Sequence, residues 1–130
     1  MNRGRLINPD LLALIASLGH TETIVIADAG LPIPVGVPRL DLALVRGTPS
    51  FLAVLEAVST ELIIESATLA LEFREHSPLL HRQALAILPS ATNYVNHEEF
   101  KRFTAGARLV VRTGESTPFA NVILHAGVDF

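Results

Sequence analysis

The sequence predicts an α/β fold: a single helix-sheet-helix domain of three layers that assembles as a homo-oligomer. Three observations carry that expectation. Short β-branched apolar runs alternate with capped amphipathic segments along all 130 residues, the pattern of strands separated by helices. No linker, repeat or low-complexity stretch divides the chain, so residues 1–130 read as one domain. Hydrophobic residues make up 49% of the chain and charged ones only 18%, where about a quarter is usual. A small domain this apolar is expected to cover surface with a partner.

Asn8-Pro9-Asp10 reads as a helix start, with Asn8 as cap, Pro9 at the first helical position and Asp10 in the first turn. Leu11, Leu14, Ile15 and Leu18 share one face. Gly19 is expected to end the helix as a left-handed cap. His20 then lies just past a helix carboxyl end, where the dipole favours the protonated imidazole. Thr23 to Ala27 reads as a strand buried on both faces. Residues 29–38 carry Pro32, Pro34, Pro38, Gly30 and Gly36, the composition of an ordered irregular loop. Such loops at strand ends often carry function.

Arg39 to Val45 reads as a second strand. Thr48 is expected to cap a helix from Pro49 to Ser59, with Phe51, Leu52, Leu55 and Val58 inward. Leu62 to Phe73 is read as a long strand or a bent pair of strands. Ser77 is expected to cap a helix to Leu88, stopped by Pro89. A short strand over 91–96, a helix over 97–105 capped by Asn96, a strand over 107–112, a turn over 113–118 and a last strand over 120–125 complete the chain.

Composition narrows the chemistry. Ten basic and 13 acidic residues give a net charge of −3 with no basic cluster, so nucleic acid is not an expected partner. No apolar run approaches the 18 or so residues of a membrane span. The amino terminus is a poor signal peptide, because Asn8-Pro9-Asp10 interrupts its apolar stretch. The chain has no cysteine, which removes disulfides, thiolate catalysis and cysteine-ligated metal and is compatible with the cytoplasm. No strand is followed by the spaced glycines of a dinucleotide site, so no cofactor is expected.

Five histidines remain as candidates: His20, His76, His81, His97 and His125. His76 and His81 stand five apart, not at the i, i+4 spacing of a helical metal pair, and read as surface residues. His125 reads as a packing or interface residue. Asp28, at the end of the first strand, is either a cap for the Gly30-Pro32 turn or a binding group. Asp41 is expected to pair with Arg39 or Arg46. Asn121 carries an amide able to donate to and accept from adjacent hydroxyls. A strand of about seven residues spans roughly 23 Å, so His20 and Asp28, at its two ends, do not reach one small ligand along an extended chain. Either the chain folds back or a neighbouring subunit completes the site.

Several separated motifs then occur in order: Gly19-His20-Thr21-Glu22-Thr23, Asp28-Ala29-Gly30-Leu31-Pro32-Ile33-Pro34, Arg39-Leu40-Asp41-Leu42-Ala43-Leu44, Asn96-His97-Glu98-Glu99-Phe100-Lys101, Val111-Arg112-Thr113-Gly114-Glu115 and Pro118 to Leu124. Together they resemble the D-ribose pyranase family, within the ribose pyranase and fucose mutarotase superfamily. The resemblance implies interconversion of the pyranose and furanose forms of D-ribose by general acid–base ring opening, without metal or cofactor. It implies His20 as the catalytic acid and Asp28, His97, Phe119, Ala120 and Asn121 as substrate-binding positions. It also implies a ring-shaped homo-oligomer, pentamer or decamer, with sites at subunit contacts, in the cytoplasm. One departure stands out: the family's Tyr-Ala-Asn is Phe119-Ala120-Asn121 here, without the phenol hydroxyl. The rival readings are a mutarotase for another sugar such as L-fucose, a non-catalytic sugar-binding subunit, and a metal site built from His20, Asp28 and His97.

Overall fold

The first helix begins as its capping sequence requires. In the computed structural model, which describes residues 1 and 3–130, the Asn8 side chain accepts the Leu11 N–H at 3.0 Å and Pro9 opens helix α1, Pro9–Ser17. The end differs from expectation. Leu18 turns extended and closes the helix, and the left-handed residue is Thr21, with φ 72°, not Gly19. Gly19 instead donates its N–H to Glu22 Oε1 at 2.6 Å, closing a turn that carries His20.

Strand β1, Thr23–Ala27, follows. It is buried as its apolar run predicts, with Ile24 to Ala27 fully shielded. Strand β2 is only Arg39–Asp41, shorter than the 39–45 expected, because Leu44 to Thr48 bond among themselves as a turn rather than extending the ladder. Helix α2, Phe51–Ser59, is capped by the Ser50 side chain on the Ala53 N–H, so neither Thr48 nor Pro49 starts it.

The ambiguous stretch divides. Strand β3 is Ile64–Ala70 and helix α3, Leu71–His76, replaces the expected strand from residue 71 onward. Helix α4, Pro78–Leu85, has Ser77 at its cap position but no side-chain capping bond. Strand β4, Thr92–Val95, leads to helix α5, His97–Phe103, whose cap is Asn96 Oδ1 on the Glu99 N–H at 2.8 Å. A 3-10 turn over Thr104–Gly106 precedes strand β5, Leu109–Arg112, and strand β6, Val122–Ala126, is last.

Among the described residues, six strands form one sheet in the order β2-β5-β1-β6-β3-β4. β1, β2 and β5 run parallel, as do β3 and β4, while β6 is antiparallel to β1 and to β3. Alternate residues divide the sheet between two cores. Ile24, Ile26, Leu109, Val111, Val122 and Leu124 face a large core with Leu11, Phe51, Leu55, Val58 and Phe73. Val25, Ala27, Val110 and Ile123 face a smaller one closed by Phe100, Leu31, Ile33 and Val37. The result is the layered α/β fold expected, with α5 and the 29–38 loop as its thinner layer. That thin layer leaves an end of the sheet open to a ligand.

Candidate active site

β1 and β5 are parallel neighbours, so the loops after Ala27 and after Arg112 leave the sheet side by side. In α/β sheets, ligands bind outside the carboxyl ends of strands. A cleft of about 330 Å³ lies at that place, lined by Asp28, Leu31, His97, Glu115, Thr117 and Phe119 with neighbouring loop residues.

Asp28 follows the last residue of β1. Its Oδ1 accepts the Gly30 N–H at 2.9 Å, so the turn-capping role read from the sequence is real, and the same carboxyl lines the cleft. Only 8% of the residue is exposed. Burial pushes its carboxyl pKa above the usual 3.8; the Gly30 and Leu31 N–H groups and the His97 charge oppose the rise without cancelling it.

His97 is the first residue of α5. Its backbone N–H is taken by both Glu72 oxygens at 3.0 Å, a carboxylate at a helix amino end. Its ring meets Phe119 edge to face, centroids 4.9 Å apart, and His76 stacks on Phe119 at 5.1 Å. Phe119 itself holds φ at 65°, a conformation uncommon for a bulky side chain. Such outliers cluster at functional sites.

Two buried side-chain atoms among the described residues have no hydrogen-bond partner: His97 Nδ1 and Asn121 Nδ2. Unsatisfied buried polar atoms are few in folded proteins. Here both belong to expected binding residues. Asn121 is fully buried behind the cleft rather than lining it, and its Oδ1 accepts the Asp28 N–H at 2.7 Å. Ala120 is likewise fully buried. A second, wider concavity of about 500 Å³ contains Thr68, Asn93 and His125. Those groups satisfy one another, because Thr68 Oγ1 donates to Asn93 Oδ1 at 2.8 Å and stands 3.1 Å from His125 Nε2.

His20 is not with the others. It sits before β1, while Asp28 sits after it, and the five residues of the strand span about 16 Å. The same separation takes apart the zinc triad of His20, Asp28 and His97 within one chain; among the described residues no three such side chains gather as a metal site. The His20 imidazole is half-exposed, with Nε2 3.0 and 3.1 Å from the two oxygens of Glu65.

The chain matches the RbsD / FucU transport protein family over residues 1–129. It belongs to that family. A D-ribose pyranase of Bacillus cereus (strain AH187) is 50% identical over 131 residues, covering all of both chains. The solved structure of Bacillus subtilis RbsD complexed with D-ribose is 40% identical and superposes with a TM-score of 0.96 over the full length of both. A fucose mutarotase from Streptococcus pneumoniae, solved with L-fucose, shares the fold at TM-score 0.76 and 21% identity over both whole chains.

Three carboxylates, two beside the cleft and one beside His20, escaped the sequence reading. Glu115 lines the cleft and ties it to α2, Oε1 accepting the Phe51 N–H at 3.0 Å and Oε2 the Thr117 hydroxyl at 2.8 Å. Glu72 holds His97 but lies in the stretch read as strand. Glu65 meets His20 across 45 residues, a contact with no local signature. Asp41 pairs with Arg112 at 3.1 Å, not with Arg39 or Arg46, because β2 lies directly beside β5.

Proposed function

We infer that this chain is an isomerase that interconverts the pyranose and furanose forms of D-ribose. The observation that carries the reading is full-length identity of 50% to a D-ribose pyranase, with Asp28, His97 and Phe119 converging on one cleft. The chemistry suits the residues. Ring opening needs a proton on the ring oxygen and loss of one from the anomeric hydroxyl. The aldehyde then rotates, and another hydroxyl closes the ring. General acid–base catalysis contributes typically 10²–10⁴-fold, enough for a reaction that proceeds unaided.

In this reading Asp28 and His97 bind sugar hydroxyls, His97 with the Nδ1 that lacks a partner. Phe119 forms an apolar wall. Asn121 fixes Asp28 from behind, and Ala120 shapes the buried backbone beside it. His20 delivers the proton, and a second copy of the chain brings it to the cleft. What supports a shared site is the length of β1 between His20 and Asp28, together with exposed apolar side chains such as Val35, Leu44 and Phe103. A ring of five or ten copies is the assembly proposed. A cytoplasmic location is proposed with it, where a sugar kinase uses the furanose; no helix of the described residues is long and apolar enough to cross a membrane.

NMR saturation transfer on ribose tests the function. Purified protein is expected to accelerate pyranose–furanose exchange, and His20→Ala to abolish it while folding survives. Faster exchange of L-fucose than of ribose would favour the mutarotase reading; sugar binding without acceleration would favour a binding subunit.

A further inference from the structure

Glu65 lies at an irregularity of the sheet. Along β3, Ile64 pairs with Ala126 while Ser66 pairs with His125, so Glu65 is an extra residue in the ladder between β3 and β6. A bulge of this kind bends the strand and re-aims one side chain, and bulges are over-represented beside active sites. The side chain re-aimed here meets His20 Nε2 with both oxygens, at 3.0 and 3.1 Å.

Two further features hold the pair. The His20 turn is stitched to β6 by the Thr21 N–H on the Ala126 carbonyl and the Ala126 N–H on the Glu22 carbonyl, with Thr21 held at φ 72°. Beyond β6, Gly127 runs past Glu65: a Cβ on it would stand 3.1 Å from the Glu65 Cβ. A bulge, a left-handed threonine and a glycine thus converge on one contact. Stability does not explain the convergence. Both side chains are 51% exposed, and ion pairs of that kind contribute little.

We propose that Glu65 is a positioning residue for His20. It accepts the Nε2–H, which fixes the tautomer and ring orientation and leaves Nδ1 as the nitrogen that exchanges a proton with the sugar. The proton passes from Nδ1 of the imidazolium to the ring oxygen. The C1–O bond breaks with its electron pair going to that oxygen, and the anomeric hydroxyl loses its proton to water as the aldehyde forms. The neutral Nε2–H tautomer left behind is the one Glu65 already binds. This rests on His20 being the acid of the proposed ribose reaction.

The test combines exchange kinetics with ¹⁵N NMR of the His20 ring, on full-length Glu65→Ala, Glu65→Gln and His20→Ala. Glu65→Ala is expected to lower the exchange rate constant about tenfold or more with the ribose KM changed less than about twofold. Its His20 ring nitrogens become a tautomer mixture where the wild type shows Nε2–H alone. Glu65→Gln keeps an acceptor oxygen and recovers both the rate and the single tautomer. If His20→Ala abolishes exchange while Glu65→Ala leaves rate and ring shifts unchanged, the positioning role is wrong and the acid assignment survives. If His20→Ala exchanges like wild type, the acid assignment itself falls. Should Glu65→Ala not fold, the ring shifts of Glu65→Gln decide: a tautomer mixture there overturns the proposal.

Discussion

The Asn121 side chain accepts the Asp28 backbone N–H at 2.7 Å, across 93 residues of sequence. The two residues lie at the end of the central strand pair, where β1 ends and β6 begins, and both are buried. Removing the acceptor leaves a buried N–H without a partner, which costs about 1–3 kcal/mol. Asn121→Ala is therefore expected to lower urea-unfolding stability by about that amount. It also frees the Asp28 carboxyl to move, so ribose KM rises more than the rate constant falls. Equal stability of variant and wild type would show that the bond is not retained in solution.

Asp28 sets a pH dependence of stability. Burial raises its folded pKa above 3.8, so the folded chain binds this proton more tightly than the unfolded one. Between 3.8 and the raised value, the native state carries the extra proton, and Asp28 makes stability fall as pH rises through that window. Asp28→Asn keeps an oxygen for the Gly30 N–H and removes the charge. The expected outcome is a variant more stable than wild type at pH 7, with the difference vanishing below pH 3.8. A difference constant with pH would mean that the carboxyl is not desolvated.

His81 works in the opposite sense. Burial, then the Arg74 charge, lowers its pKa below 6.5, and its Nε2 lies 2.6 Å from the Tyr94 hydroxyl. The folded state prefers the neutral ring, so this histidine's contribution is intact above 6.5 and is lost as pH falls through the folded value. Denaturant midpoints for wild type and His81→Gln at pH 7.5 and 5.5 check this. Wild type is expected to lose more between the two pH values than the glutamine variant, which cannot take up a proton.

How much of this was legible in the sequence depends on range. Asn8, Pro9 and Asn96 mark helix starts because capping is a contact within three residues, and the structure keeps each of them. The apolar run over 23–27 announces a central strand for the same reason. Residues 71–73 read as strand because Glu61 to Glu65 has strand character and nothing local marks where it stops; the helix from Leu71 is fixed by Phe73 packing against Phe51, ring centroids 5.8 Å apart. Gly19 looks like a helix cap, but the Glu22 side chain occupies its N–H and the left-handed bend moves to Thr21. Motif resemblance points to Asp28 and His97, which the fold brings to one cleft, whereas Glu65, Glu72 and Glu115 bond to partners 45, 25 and 64 residues away. Only the folded sheet brings those together.

The separation of His20 from Asp28 gives the last prediction. If each cleft borrows the imidazole of a neighbouring copy, His20→Ala and Asp28→Asn damage different halves of one site. Each variant alone has no intact site, because every contact between copies carries the same lesion. In co-expressed mixed assemblies, about one quarter of heterologous contacts join a sound cleft to a sound His20, if the two chains mix at random in the ring. Ribose exchange in the mixture is therefore expected at about that fraction of the wild-type rate, and sedimentation should show one oligomer of the wild-type size. A site built within one chain predicts no recovery at any mixing ratio, since no chain would hold both groups. A monomer in sedimentation at micromolar concentration would remove the partner altogether. The complementation assay thus separates a shared pocket from a chain that folds back on itself, the two ways of bridging the length of β1.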